Sequence, residues 1–371
     1  MSVTTINILL FGIGNVGSTL LKQIQESRDF LEQQNGVVFN FPIIANSTVV
    51  LFQNEALQQA WETDFKRSSI PYEFDDILHF LKNTPLENLI AVDVTASDVM
   101  LSRYLPLVQH GCHLVAANKK PNTADLHFYN LLRSELAKQN RKFLYETNVG
   151  AGLPIIQTIR NLYQAGERIT RIQGVFSGSL SYMFNRFSVE PFPFSQILAD
   201  AERNGYTEPD SRDDLSGTDV ARKLLILARE LQEPLELDDI SIEPIFGETL
   251  TRLLHETDYR SNKQTLNRYL EDRKQELEAD EVLRFVGLLD LEKRRFQVKL
   301  TAVKRESALG QLRGTDNLIE IYTESYGRNP LVVQGAGAGK EVTARGVLSD
   351  LLQIAETVKQ RVKVKANEVL V

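Results

Sequence analysis

Thr5-Ile6-Asn7-Ile8-Leu9-Leu10-Phe11-Gly12-Ile13-Gly14-Asn15-Val16-Gly17 is the stretch that decides the fold. Residues 5–11 are dominated by Ile6, Ile8, Leu9, Leu10 and Phe11, β-branched and aromatic members among them, which reads as a buried strand. Gly12, Ile13, Gly14, Asn15, Val16 and Gly17 then match G-x-G-x-x-G and open a helical pattern predicted over Val16 to Gln33. In that setting the first glycine permits a tight turn, the second lets backbone approach a pyrophosphate, and the third lets helix pack on strand. The helix N-terminus presents unpaired N–H groups and a positive dipole end to the phosphates.

Outward from this turn the chain alternates β-rich and helical segments. Strands are predicted over Val37 to Ala45, Ile90 to Thr95, His113 to Ala117 and Lys142 to Glu146, with helices over Val99 to Gln109 and Thr123 to Gln139; residues up to Phe80 are less clearly patterned. This alternation predicts an α/β fold with an N-terminal Rossmann-type, doubly wound parallel sheet. Near Val149-Gly150-Ala151-Gly152 the pattern changes. Beyond it, a helix over Pro154 to Tyr163, a strand over Thr170 to Phe176, helices through about Ala279, and strands at Glu281–Leu288, Arg295–Lys304 and Asn317–Thr323 predict an α+β second domain. A closing helix is predicted over Lys340 to Val362. The expected division is 1–148 for the dinucleotide domain, 149–335 for a substrate, catalytic and dimerisation domain, and 336–371 returning to the first.

Bulk properties narrow the function. The 371 residues are 42% hydrophobic and 25% charged, with a net charge of −7, so a broad nucleic-acid or membrane-surface footprint is not expected while local anion sites remain open. The N-terminus lacks a signal peptide's basic start and long apolar core, and no apolar run nears the roughly 18 residues that span a bilayer. The expected location is the cytoplasm. The single cysteine, Cys112, can form no internal disulfide and reads as a small buried side chain. His79, His110, His113, His127 and His255 form no metal-spaced pair and read as structural or surface residues.

Where a dinucleotide domain reads the adenosine ribose, at the end of the second strand, the sequence is Ile44-Ala45-Asn46-Ser47, with neither a carboxylate nor an adjacent arginine. An uncharged site removes repulsion against a 2′-phosphate, so the expected cofactor is NADP(H), with NAD(H) accommodated. Asp93-Val94-Thr95-Ala96-Ser97 and Ala116-Ala117-Asn118-Lys119-Lys120-Pro121 end two further strands at the edge where open α/β sheets bind ligands.

The densest polar stretch, GYTEPDSRDDLSGTDVARK, spans Gly205 to Lys223 and runs into a helix over Val220 to Glu230. Asp219 and Lys223 are four apart and share a helix face. Reduction of a carbonyl needs a proton for the developing alkoxide, which a lysine held near a carboxylate can donate. Glu208 and Asp214 can bind a substrate ammonium. By spacing alone the same pair also reads as an ordinary surface salt bridge.

This block, with VAANKKPNT (115–123), ETNVGAGLPII (146–156) and QGVFSGSLSYMF (173–184), resembles homoserine dehydrogenase over about Ile90 to Ala355. The resemblance implies NAD(P)H-dependent, reversible reduction of L-aspartate 4-semialdehyde to L-homoserine, serving threonine, methionine and isoleucine synthesis. It implies Lys223 as acid/base with Asp219 in support, Lys119 as a second lysine close to cofactor and substrate, and Glu208 and Asp214 at the substrate's amino group. Thr95 falls where the family contacts the cofactor. Glu146, Val149, Ala151 and Leu153 match a Na⁺ site built largely of backbone carbonyls, the hard oxygen donors such a cation takes. Gly339 matches the return of the chain to the nucleotide domain, although GAGAGKEVTA also aligns through Gly337. A homodimer formed through the second domain's sheet is implied.

The chain departs from longer family members by starting at the dinucleotide fold and ending soon after Gly339. The expectation is therefore a monofunctional form, without a fused aspartate kinase or a C-terminal regulatory domain, and free of strong feedback by threonine. Two other readings of a dinucleotide fold have different residue requirements. An aldehyde-oxidising semialdehyde dehydrogenase needs an activated cysteine, for which Cys112 is a poor candidate. A non-enzymatic dinucleotide sensor would not need Lys119, Asp219 and Lys223 beside a complete glycine loop.

Overall fold

The computed structural model describes residues 3–53, 61–247 and 262–369, with side chains through 360. His255 lies outside the described residues. The chain forms two compact units, one made of Met1–Gly152 with Gly339–Val371, the other of Leu153–Ala338.

In the first unit β1 (Thr4–Phe11) pairs in parallel with β2 (Val37–Ala45) and with β5 (Leu89–Asp93), and β6 (His113–Ala116) and β7 (Phe143–Leu144) continue the parallel set. β3 (Val49–Phe52) and β4 (Ile70–Pro71) extend the other edge antiparallel, giving the order β4-β3-β2-β1-β5-β6-β7. The register brings Phe11 beside both Ala45 and Asp93, and Asp93 beside Ala116, so four parallel strands end in line. The order reverses at β1, the switch point where open α/β sheets bind ligands. Both faces of the sheet are covered, which is why residues 8–11 of β1 are apolar without alternation, while the buried Asn7 donates to the Glu87 carbonyl at 2.7 Å. The closing helix, Lys340–Val369, completes this core with Ala344, Val347, Leu348, Leu351, Ile354, Ala355 and Val358.

Several boundaries differ from the sequence expectation. The predicted Val16–Gln33 helix is two helices, Asn15–Glu26 and Arg28–Asn35, broken at Ser27. Leu20, Ile24 and Leu31 all reach the same core, so apolar periodicity runs through the break unchanged. The predicted strand Lys142–Glu146 shortens to Phe143–Leu144, and Glu146–Asn148 forms a 3-10 turn.

The second unit is a six-stranded sheet ordered β13-β12-β8-β10-β11-β9, antiparallel except for the β11–β9 pair. Its strands are β8 (Ile169–Val175), β9 (Ser241–Ile242), β10 (Glu281–Asp290), β11 (Arg295–Lys304), β12 (Asp316–Thr323) and β13 (Leu331–Ala336). The sequence reading missed β13, whose residues are nowhere buried, so it carries no period-2 apolar signal. Gly287 in β10 lets the helix Thr218–Glu230 approach the sheet: a Cβ there would come within 3.0 Å of Val220 and 3.1 Å of Leu224.

Arg284 in β10 is 3% exposed and, among the described residues, pairs with no carboxylate. It donates to the carbonyls of Leu283 (2.8 Å), Leu309 (3.0 Å) and Gly310 (2.7 Å), with longer bonds to Phe184, Leu312 and Ser188. Burial lowers its pKa to about 10, which leaves it charged at neutral pH. Arg284→Met keeps the volume but strands these carbonyls in a dry site, and each buried unpaired group costs about 1–3 kcal/mol. The variant should lose about 3 kcal/mol or more in urea unfolding. A loss under about 1 kcal/mol would show that water reaches these carbonyls.

No helix among the described residues is long and apolar enough to cross a membrane.

Candidate active site

The glycine loop of the first unit has the geometry its pattern asks for. Gly12 sits at φ 102°, a conformation L side chains rarely adopt, and its N–H donates to the Ala45 carbonyl at 2.8 Å. A Cβ at Gly17 would overlap the Gly12 carbonyl oxygen and lie 2.9 Å from its carbon, so the helix meets the turn backbone to backbone. Gly14 is different: a Cβ there meets nothing within 4 Å. Gly14 caps the helix Asn15–Glu26, which has no side-chain cap and no acidic residue in its first turn. The residues therefore fit a dinucleotide pyrophosphate, with open space over the middle glycine and a helix N-terminus that no side chain occupies.

Beside this loop, a buried carboxylate knits two strand ends together. Asp93, 3% exposed, accepts from the Thr95 N–H (2.9 Å), the Tyr104 hydroxyl (2.8 Å) and Asn118 Nδ2 (2.8 Å). Asn118 also reaches the Ser97 carbonyl (3.1 Å), and its Oδ1 accepts from the Lys120 N–H (3.1 Å). Burial pushes the Asp93 carboxyl up, against the pull of the bonds from Thr95, Asn118 and Tyr104. Thr95 closes over the glycine turn, its Cγ2 3.0 Å from where a Gly12 Cβ would be. Lys119 stands between Asn118 and the short helix Lys120–Thr123, at the end of β6. On the far side of that turn Asn122 donates to Asn148 (2.8 Å), and Asn148 donates to the Ala116 carbonyl (2.9 Å).

Glu146, Val149 and Ala151 are all buried in the loop that ends this part of the unit, and Leu153 is the first residue of the second unit. Gly150 and Ala151 both have positive φ, 77° and 52°, and the Glu146 N–H is held by Asp350 at 3.0 Å. An irregular, buried turn with backbone oxygens fits the donor set of a hard monovalent cation. Among the described residues no group of three or more His, Cys, Asp or Glu is placed to hold a metal. Gly339, φ 124°, opens the closing helix, and Gln23 of the glycine-loop helix donates to the Glu341 carbonyl at 2.9 Å. Gly337 belongs instead to the second unit, where a Cβ would overlap the Asn317 side chain.

In the second unit the polar block gathers. Lys223 lies on a helix in which nearly every residue from Val220 to Glu230 is buried, and is itself 8% exposed. Its Nζ is 2.7 Å from Asp219 and donates to the Phe176 carbonyl at 2.7 Å. A solvated surface pair does not look like this. The same Phe176 carbonyl accepts from Asn317 Nδ2 at 3.0 Å. Asp214 accepts from the Ser179 hydroxyl (2.6 Å) and from the Glu208 N–H (2.9 Å), which brings the two carboxylate residues together. Burial raises the Asp214 carboxyl, opposed by the Ser179 bond.

Asp93 and Ser179 lie inside the quoted motifs and Asn317 outside them, and none carries a spacing signal of its own; only Ser177, which caps the helix Gly178–Val189 through the Leu180 N–H, shows a sequence signature. His113 is structural: it is buried and accepts from the Lys142 N–H at 2.9 Å. Cys112 is fully buried, and burial pushes its thiol up to about 12, the opposite of an activated nucleophile.

Residues 154–352 match the family model described as homoserine dehydrogenase, and residues 12–146 match that of its NAD-binding domain. A bifunctional aspartokinase/homoserine dehydrogenase of Buchnera aphidicola is 40% identical over 352 residues, covering 94% of this chain and 43% of that protein. A homoserine dehydrogenase of Paracoccidioides brasiliensis is 34% identical, covering 96% of this chain and 99% of that protein. The chain spans about two fifths of the length of the bifunctional relatives it matches. Among solved structures, a Candida auris protein of unknown function aligns with TM-score 0.80 at 31% identity, covering 95% of this chain and 98% of that one. A hyperthermophilic archaeal homoserine dehydrogenase in complex with NADPH aligns with TM-score 0.70 at 23% identity, covering 95% and 98%, and shares the fold.

Proposed function

The chain belongs to the homoserine dehydrogenase family, and on that footing we propose that it catalyses the reversible, NAD(P)H-dependent reduction of L-aspartate 4-semialdehyde to L-homoserine. The observation that carries this reading is Lys223, buried and held between the Asp219 carboxylate and the Phe176 carbonyl. The bound nicotinamide supplies the hydride. In reduction Lys223 holds a proton at Nζ and passes it to the substrate oxygen as negative charge develops there; in oxidation it takes that proton back. Asp219 keeps the ammonium aimed. Glu208 and Asp214 bind the substrate's α-ammonium, and Lys119 contributes a second positive charge near the reacting end. The Gly12–Gly17 loop holds the pyrophosphate, Thr95 contacts the cofactor, and Gly339 lies where the chain returns to the nucleotide unit.

We assign NADP(H) as the preferred cofactor, with NAD(H) also used, and a homodimer as the working assembly. Glu146, Val149, Ala151 and Leu153 would hold Na⁺, which would stiffen the loop without taking part in proton or hydride transfer. The step serves threonine, methionine and isoleucine synthesis.

The test is homoserine oxidation followed at the NAD(P)H absorbance, with NADP⁺ and NAD⁺ in parallel. Homoserine-dependent reduction is expected with both, at a higher kcat/KM with NADP⁺. Absence of turnover with either, in protein that still binds a dinucleotide, would refute the assigned substrate.

A pH dependence follows from Asp214. Its carboxyl is raised by burial, so it protonates at a higher pH than an ordinary aspartate and then no longer attracts an ammonium. The KM for homoserine should rise as pH falls through that raised value, while the dissociation constant for NADPH holds steady. Asp214→Asn should show a high KM with no such limb. A wild-type KM that stays flat into the ordinary aspartate range would remove Asp214 from substrate binding.

A further inference from the structure

Asn46, the residue after β2, spends its side chain on its own turn: Oδ1 accepts from the N–H groups of Thr48 and Val49, both at 2.8 Å. It offers no carboxylate to a ribose hydroxyl. Its backbone carbonyl accepts from the Tyr72 hydroxyl at 2.9 Å, and that hydroxyl accepts from Arg103 Nη1 at 3.3 Å. Arg103 is the third residue of the helix Leu101–Gln109, which follows β5. Through Tyr72 it is carried to the end of β2, although 57 positions separate it from Asn46 in the chain. The guanidinium rests against the rings of Phe74 (5.1 Å) and Tyr72 (5.9 Å). Among the described residues no carboxylate pairs with it. A half-buried cation without a counter-ion, propped by two rings, is poised for an anion.

The glycine loop ends β1, and β2 and β5 flank β1 on either side. A dinucleotide whose pyrophosphate lies on that loop carries its adenosine ribose toward the end of β2, where a nearby arginine accommodates a 2′-phosphate. We propose that Arg103 is this arginine: it binds the adenosine 2′-phosphate of NADP(H) and sets the preference over NAD(H). Tyr72 and Phe74 act through it as positioning residues, the hydroxyl fixing the guanidinium and the rings supporting its plane. The inference rests on the dinucleotide site of the proposed function, but on neither the substrate nor the catalytic lysine.

The test is direct binding, which needs no turnover. NADPH and NADH are titrated by their fluorescence into the full chain and into Arg103→Gln, with 2′,5′-ADP and 5′-ADP as competitors. A charge-assisted, forked contact to phosphate is among the stronger polar interactions, so the NADPH-to-NADH affinity ratio should fall by about ten- to a hundred-fold in the variant. The advantage of 2′,5′-ADP over 5′-ADP should fall with it. Tyr72→Phe keeps the charge but frees the side chain, and should lower the ratio only a few-fold; it also serves if Arg103→Gln fails to fold. A wild type that does not discriminate, or variants whose ratio stays at the wild-type value while both affinities fall together, would overturn the proposal. Loss of the ratio in a chain that never oxidises homoserine would leave the proposal standing and sink only the assigned reaction. Homoserine turnover with an unchanged NADP⁺/NAD⁺ preference in Arg103→Gln would do the reverse.

Discussion

Replacing Lys223 with alanine should lower kcat for homoserine oxidation by about a thousand-fold, within the 10²–10⁴ that a positioned acid/base contributes, and leave NADPH affinity at the wild-type value. The expectation rests on how the side chain is held. Its ammonium pairs with the Asp219 carboxylate and donates to the Phe176 carbonyl. Truncation need not unfold the helix: the Phe176 carbonyl retains its bond from Asn317, and Asp219 is close to half-exposed, so water can solvate it. The loss should fall on kcat with a smaller change in KM, the signature of an interaction made in the transition state. Arginine is no substitute, because a guanidinium does not give up its proton near neutral pH; Lys223→Arg should be about as slow as the alanine variant. Stopped-flow traces with saturating NADP⁺ and homoserine, together with a thermal melt, separate chemistry from folding. A kcat within ten-fold of wild type in Lys223→Ala would move the proton transfer to another group, with Lys119 the first to examine.

The second large effect contrasts two glycines three positions apart. Gly17→Ala drives a methyl group into the Gly12 carbonyl and to 3.2 Å from Val94. The obstacle is backbone, which cannot swing aside as a side chain would. The helix must lift off the turn, at a cost of about 3 kcal/mol, the upper end for overpacking a tight site, and the phosphate-binding N–H groups move with it. Stability and NADPH binding should fail together. Gly14→Ala meets nothing within 4 Å, so its melting temperature should stay near the wild-type value. Its binding should weaken by ten-fold or more all the same, because the new methyl stands in the space the pyrophosphate enters. Equal stability of the two variants would contradict the close approach; unimpaired binding in Gly14→Ala would place the phosphates elsewhere.

What could be read in advance depended on whether the physics was local. β1 and its glycine turn were legible because a strand buried on both faces is an apolar run, and because the turn needs a residue that tolerates φ 102° at Gly12. The closing helix was legible from its apolar spacing. β13 was not: its six residues alternate between half-buried and exposed and have no core face. Nor was the antiparallel extension by β3 and β4, since β4 is only two residues long and carries too little pattern to read. At the site, the four-residue spacing of Asp219 and Lys223 gave the pair but not its burial, which comes from the packing of a whole helix against β10. The Asp93–Asn118 link joins the end of β5 to the turn after β6 through a register that only the folded sheet defines. Arg103 is illegible in the sequence for the same reason. Scanning beside Asn46 finds no arginine, whereas the fold delivers one from the helix after β5.

The closing helix has a consequence for how the chain is made. Seven of its residues, from Ala344 to Val358, belong to the apolar core built around β1, yet all of Leu153–Ala338 is translated first. At about 5–20 residues per second, the nascent sheet waits on the order of ten to forty seconds on the ribosome with part of its core uncovered. During that interval the second unit, contiguous in sequence, can fold as soon as it emerges. The unit whose first strand is β1 is therefore completed after the unit that follows it in the sequence, and its uncovered face is the surface a ribosome-associated chaperone would meet.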